Sequence, residues 1–123
     1  MEKFRKLQFK FKKISQNIAI EDDSGNSLAE IDLLLENGDV VMAVEVKARA
    51  LDTDVKDHVA RMGVLRRRAD ARNDTRKFQS AIASAIMSKE VRNYIHKNGF
   101  YAIEQTGDTV KITIPDGFKP MEW

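Results

Sequence analysis

Apolar and polar residues alternate in short runs along most of this chain, and that alternation predicts strands. Leu7, Phe9 and Phe11 alternate with Gln8, Lys10 and Lys12, the period of a half-buried strand. Ile18 and Ile20 follow as a second strand, and Asp22-Asp23-Ser24-Gly25-Asn26 reads as a turn. The runs Ile31 to Leu35 and Val40 to Val46 flank Glu36-Asn37-Gly38-Asp39, whose Asn-Gly is the strongest short signal for a two-residue type I′ hairpin turn. If Glu36 pairs with Asp39, then Leu34 stands opposite Val41, Asp32 opposite Ala43 and Glu30 opposite Glu45. One face of the hairpin then carries Ile31, Leu33, Leu35, Val40, Met42, Val44 and Val46, all fit for a core. The other carries Glu30, Asp32, Leu34, Val41, Ala43, Glu45 and Lys47.

From Asp54 to about Ala69 the period changes. Val55, Val59, Met62 and Leu65 recur at helical spacing, with acids at the start and arginines at the end. Phe78 to Met87 is ambiguous between helix and strand, and the helix-to-strand order favours a buried strand parallel to Val40–Lys47 through a right-handed crossover. Ser88 is placed to cap a helix through Lys97, stopped near Asn98-Gly99. Phe100 to Glu104 and Val110 to Ile114, joined by Thr106-Gly107-Asp108, predict a closing hairpin, and Pro115, Gly117 and Pro120 end regular structure. The expected fold class is α/β, a mixed β-sheet flanked by helices. At 123 residues the chain is expected to form one domain, 1–123.

Charge and composition narrow the function classes. The formal net charge is only +2, so a whole-protein basic argument for nucleic acid fails and local clustering has to carry it. Met1 to Lys13 holds six basic residues against Glu2, and the stretch from Arg61 to Lys77 is also strongly basic. Basic residues in a last helical turn complement the helix dipole, but Arg66, Arg67 and Arg68 in a row exceed that need and predict contact with nucleic acid. Arg49 is a candidate for the same positive rim. His58 and His96 lack paired ligand spacing and read as packing or surface residues. There is no cysteine, hence no disulfide and no thiolate metal site, which fits a reducing cytoplasm. No apolar run reaches the length of a membrane span, so a membrane partner is not expected.

The polar face of the central hairpin is where chemistry enters. Glu30 and Glu45 are expected to stand directly opposed, and Asp32 diagonal to Glu45 at roughly 7–8 Å between Cα atoms. Three acids that close want a cation, and Mg²⁺ takes one or two carboxylates while keeping water and substrate oxygens in its other positions. Lys47, two residues beyond Glu45 and on its face, is placed to hold a phosphate or the attacking water. Against this stands a plain alternative, since one face of an antiparallel hairpin is often solvated and Glu and Lys are its usual occupants. Spacing alone leaves both open.

Asp32, twelve intervening residues and then Glu45-Val46-Lys47 resemble the Asp…Glu-x-Lys signature of the PD-(D/E)xK nuclease superfamily, the restriction-endonuclease-like fold. The longer stretch Glu-Ile-Asp-Leu-Leu…Val-Glu-Val-Lys-Ala-Arg is similar to small bacterial nuclease-like members of unknown function. The likeness extends through Asp54 to Arg68 and the tail from Gly99-Phe100-Tyr101 to Trp123. It implies Asp32 and Glu45 as ligands of Mg²⁺ or Mn²⁺, the Val46 carbonyl as an extra ligand, and Lys47 as the catalytic lysine. It implies hydrolysis of nucleic-acid phosphodiesters, DNA before RNA, and a homodimer that cuts two strands. Ile31 replaces the proline of the superfamily's name. Members open with a helix that supplies another acid, and Met1 to Leu7 resembles only the end of one, a shortened first helix. Glu2 or Glu30 is therefore expected to stand in. If neither does, the chain is expected to be a nucleic-acid-binding or assembly module that keeps the fold with an incomplete site.

Overall fold

A computed structural model of the chain describes residues 12–107 and 109–123. Glu2, the helix end at Met1 to Leu7 and the strand expected at Leu7, Phe9 and Phe11 lie outside the described residues. The described part is α/β: strands β1 (Lys13–Glu21), β2 (Ser27–Glu36) and β3 (Val40–Arg49), helix α1 (Asp52–Ala71), strand β4 (Lys77–Ile86), helix α2 (Lys89–Lys97), and strands β5 (Tyr101–Thr106) and β6 (Thr109–Thr113). The six strands form one sheet in sequence order. β1, β2 and β3 are antiparallel, β3, β4 and β5 are parallel, and β6 closes antiparallel on β5. Among the described residues no helix is long and apolar enough to cross a membrane.

Local chemistry explains the boundaries. Asp22 accepts the N–H groups of Ser24 and Asn26, each at 2.9 Å, and makes the turn between β1 and β2. The Asp54 carboxylate accepts the Leu51 N–H at 2.9 Å, one half of a capping box at the start of α1. Ser88 Oγ accepts the Val91 N–H at 3.1 Å and caps α2 as the sequence predicts. The ambiguous segment after α1 is a strand, parallel to β3 with Val44 beside Ala81. Its Phe78, Ser80 and Ile82 are all buried, as a central parallel strand requires.

Both helices serve one face of the sheet. Val55, Met62, Leu65 and Ala69 of α1 and Ile95 of α2 share a cluster with Val41, Ala43, Ile82, Phe100 and Ala102. The other face buries Leu35, Met42, Val44, Ala81, Tyr101 and Ile103, with Phe118 of the tail against them. The tail also pairs with β4, the Trp123 N–H donating to the Phe78 carbonyl at 2.9 Å.

The central hairpin differs from expectation in register. Leu34 pairs with Ala43 and Glu36 with Val41, two residues away from the expected alignment. Only Gly38 of the turn has positive φ, at 97°. A type I′ turn centred on Asn37-Gly38 needs positive φ at both, whereas a glycine in first place suits a turn centred on Gly38-Asp39. Asn37 instead accepts the Val40 N–H through its side chain at 3.1 Å and donates its own N–H to Val40. A shift of two leaves side chains on their original faces, where a shift of one would reverse them.

The apolar face is also interrupted. Gln16 pairs with Leu33 and Ile18 with Ile31, while Asn17, between them, has φ of 53°. Asn tolerates this left-handed conformation better than most residues. Alternation breaks there, so Ile31 joins the helix-side cluster with Val41 and Ala43 instead of lying with Leu33 and Leu35. Val46, expected in the core, is half exposed, because the described cover of that face stops near Val44.

Gly99 ends α2 with φ of 78°, and a Cβ there would lie 2.7 Å from the Met121 backbone nitrogen. Gly99→Ala is expected to destabilise the protein by about 1–3 kcal/mol, from left-handed strain plus displacement of the tail. Urea denaturation read by circular dichroism checks this.

Candidate active site

Glu45 is a carboxylate in the interior. It lies on the helix side of β3 at 5% exposure, and α1 packs over it. The solvated-face alternative therefore does not describe this surface at Glu45. Arg61 of α1 meets it, Nη1 to Oε2 at 2.7 Å, and Lys47 Nζ lies 3.6 Å from its Oε1. Lys47 also lies 3.8 Å from Asp54 at the first turn of α1, and its ammonium end stays partly in solvent.

Asp32 approaches from β2. The β2–β3 ladder is paired as far as Leu33 and Val44, and one residue beyond it the Asp32 carboxylate accepts the Val46 N–H at 2.9 Å. The Asp32 carboxylate lies near enough to that of Glu45 to act on its charge. Burial pushes the Glu45 carboxyl above its ordinary value, and Asp32 raises it further, while Arg61 and Lys47 pull it back. Two carboxylates in such contact need a proton or a cation between them.

His58 completes the buried side. Its Nε2 lies 3.2 Å from the Ala43 carbonyl oxygen and its Nδ1 3.2 Å from Arg61 Nη1. Burial, with Arg61 acting in the same direction, holds its pKa down to about 4. It is a neutral packing residue, also edge-on to Phe100 with ring centroids 5.5 Å apart.

A divalent ion fits the donor set as far as the described residues go. Mg²⁺ takes one or two carboxylates from a protein, and Asp32 and Glu45 would be those carboxylates. Among the described residues no group of three or more His, Cys, Asp or Glu side chains is gathered for a metal. Glu30 does not stand opposite Glu45: it pairs with Ala19 across β1–β2 and is exposed.

The basic candidates separate into two groups. Arg66 is a structural residue. Its Nε donates to Asp70 at 2.9 Å, Nη1 to the carbonyls of Arg76 at 2.9 Å and Trp123 at 3.0 Å, and Nη2 to that of Asp74 at 2.5 Å. The guanidinium also stacks 5.2 Å from the Phe78 ring centroid. Those contacts occupy its donors in pinning the tail to α1 and β4. Arg49 and Arg67 are exposed, and neither they nor Arg68 have an ion partner among the described residues. Arg68 lies with Arg72 at a cavity of about 130 Å³ floored by Ile20, Leu34 and Val41.

Sequence reasoning missed Asp54 and Arg61 as partners of Lys47 and Glu45. The signal was present. Asp54, His58 and Arg61 fall at i, i+4 and i+7, each one place before the apolar positions Val55, Val59 and Met62, so one side of α1 carries both stripes.

No family model matches the chain, and no curated protein matches it. Among solved structures, it is similar to the small subunit of the heterodimeric restriction endonuclease R.BspD6I, with a TM-score of 0.43 and 16% identity. The likeness covers 82% of this chain and 56% of that subunit, so this chain spans little more than half of that protein's length.

Two perturbed groups of this site, His58 and Glu45, shape how stability responds to pH. His58 has its folded pKa below its unfolded value of 6.5, so the unfolded chain binds the extra proton first as pH falls. Its contribution is full above 6.5 and is lost down to about pH 4, amounting to about 3 kcal/mol. Glu45, with a raised folded pKa, acts oppositely: its contribution is full below its unfolded value of 4.5 and is lost as pH rises through the folded value. His58→Phe is expected to flatten the fall in unfolding free energy between pH 6.5 and 4, measured by denaturant titration at a series of pH values. An unchanged slope would contradict the buried neutral imidazole.

Proposed function

We propose that this chain is a metal-dependent nuclease that hydrolyses nucleic-acid phosphodiester bonds on a restriction-endonuclease-like core. The observation that carries the reading is the contact between Asp32 and Glu45 with Lys47 beside them, where the β2–β3 ladder ends. In this reading Asp32 and Glu45, with the Val46 carbonyl, hold Mg²⁺ or Mn²⁺. The ion, when bound, lowers the pKa of a coordinated water and neutralises charge that develops on phosphate and leaving oxygen. Lys47, anchored between Glu45 and Asp54, orients the attacked phosphate and stabilises its negative charge. Arg49, Arg67 and Arg68 meet backbone phosphates, which positions the strand without reading its sequence. The signature that the chain resembles favours DNA over RNA, and a homodimer pairing through an edge strand would present two such sites.

A second reading has its own observation. Only two acids converge among the described residues, and Arg61 already neutralises Glu45. That arrangement suits a nucleic-acid-binding or assembly module with an incomplete site.

Cleavage assays on single- and double-stranded DNA and RNA separate the two. The nuclease reading expects cleavage with Mg²⁺ or Mn²⁺ that stops with chelator. Lys47→Ala is expected to abolish turnover while Mn²⁺ binding persists, and Asp32→Ala to lose both. Absence of cleavage with retained nucleic-acid affinity would select the binding module.

Arg67→Ala with Arg68→Ala is expected to weaken binding across all sequences and to reduce the salt slope by about one unit per lost phosphate contact. Arg66→Ala is expected instead to lower stability by about 2–3 kcal/mol through the carbonyls left without a donor. Filter binding at several salt concentrations, beside denaturant titration, checks both outcomes.

A further inference from the structure

The polar stripe of α1 closes a chain of hydrogen bonds on β3. A carbonyl oxygen only accepts, so His58 Nε2 carries the hydrogen that points to Ala43, and Nδ1 is left to accept from Arg61. Arg61 Nη1 in turn donates to Glu45 Oε2 at 2.7 Å. The chain leaves β3 at Ala43 and returns two residues later at Glu45, on the same face of the strand. Ala43, His58 and Glu45 are buried and Arg61 is partly buried, so the planar guanidinium has little room to serve an imidazole nitrogen and a carboxylate in more than one arrangement. Oε2 is thereby held under the helix, while Oε1 is turned toward Lys47 at 3.6 Å.

We propose that Arg61, itself held by His58, is a positioning residue that fixes which Glu45 oxygen is offered to the divalent cation. This rests on the metal-dependent reading above. A bare charge effect has the opposite sign: a guanidinium near the site repels a cation, so removing it for its charge alone would tighten metal binding. Groups that orient a ligating carboxylate typically weaken metal affinity when removed, by about 10–100-fold. The direction of change therefore distinguishes orientation from charge.

The test is Mn²⁺ binding to the full chain, followed by the paramagnetic resonance signal of free Mn²⁺, with circular dichroism melts to establish folding. Wild-type protein is expected to bind, and folded Arg61→Met to bind about 10–100-fold more weakly. His58→Phe, which keeps Arg61 and Glu45 but removes the acceptor that holds Arg61 from behind, is expected to weaken binding in the same direction. If Arg61→Met does not fold, Arg61→Lys decides, because it keeps the charge but replaces the rigid guanidinium with a shorter, freely rotating ammonium. Weaker binding by the lysine variant supports the proposal. Binding equal to or tighter than wild type in the folded Arg61 variants overturns it and leaves the metal reading standing. Absence of Mn²⁺ binding by wild type overturns the metal reading and this proposal with it.

Discussion

Burial of Glu45 is the constraint on which the rest of the structure turns. A carboxylate inside a sheet–helix core is tolerated only when cations and donors reach it. Here Arg61 does so from α1 and Lys47 from the same strand. Removing one partner of a buried pair typically costs about 3–5 kcal/mol, because the other is left charged and alone. The helix must therefore lie with its polar stripe on β3. The apolar stripe beside it, Val55, Met62 and Leu65, then falls onto Val41, Ala43 and Ile82, so one orientation satisfies both the charge and the core.

The open side of the site arises from a fault in the sheet. Asn17 adopts a left-handed conformation opposite Asp32, and the regular β2–β3 pairing ends one residue away. Ile31 and Asp32 are consecutive, yet both address the helix side, one in the core and one against Glu45. An uninterrupted strand would have had to choose between burying the first and presenting the second. The free Val46 N–H that the fault leaves is taken by Asp32 itself, which ties the acid to the strand that carries Glu45 and Lys47.

Much of this was legible in the sequence, and the gaps have physical causes. Strand and helix order, the Ser88 cap and the parallel β3–β4 pairing follow from period, capping chemistry and the rule for crossovers. Asp32 and Glu45 were legible as neighbours because a register error of two preserves the faces. The register itself was not, since Asn37-Gly38-Asp39 allows two turns and the choice falls to the Asn37 side chain, which bonds Val40. Arg66 looked like its exposed neighbours because nothing local reveals that the chain end returns to accept from it. Arg61 was hidden for the same reason, its partner lying sixteen positions away on another element.

In the proposed nuclease reading Asp32 and Glu45 share one divalent cation at the end of the β2–β3 ladder. Crystals soaked in Mn²⁺, with anomalous differences recorded near the manganese edge, test it most directly. One strong peak is expected between the Asp32 and Glu45 carboxylates, with Arg61 still on Glu45 Oε2 and Lys47 beside the ion. Fully occupied manganese elsewhere, or no peak between the two acids while their carboxylates remain in contact, would contradict it.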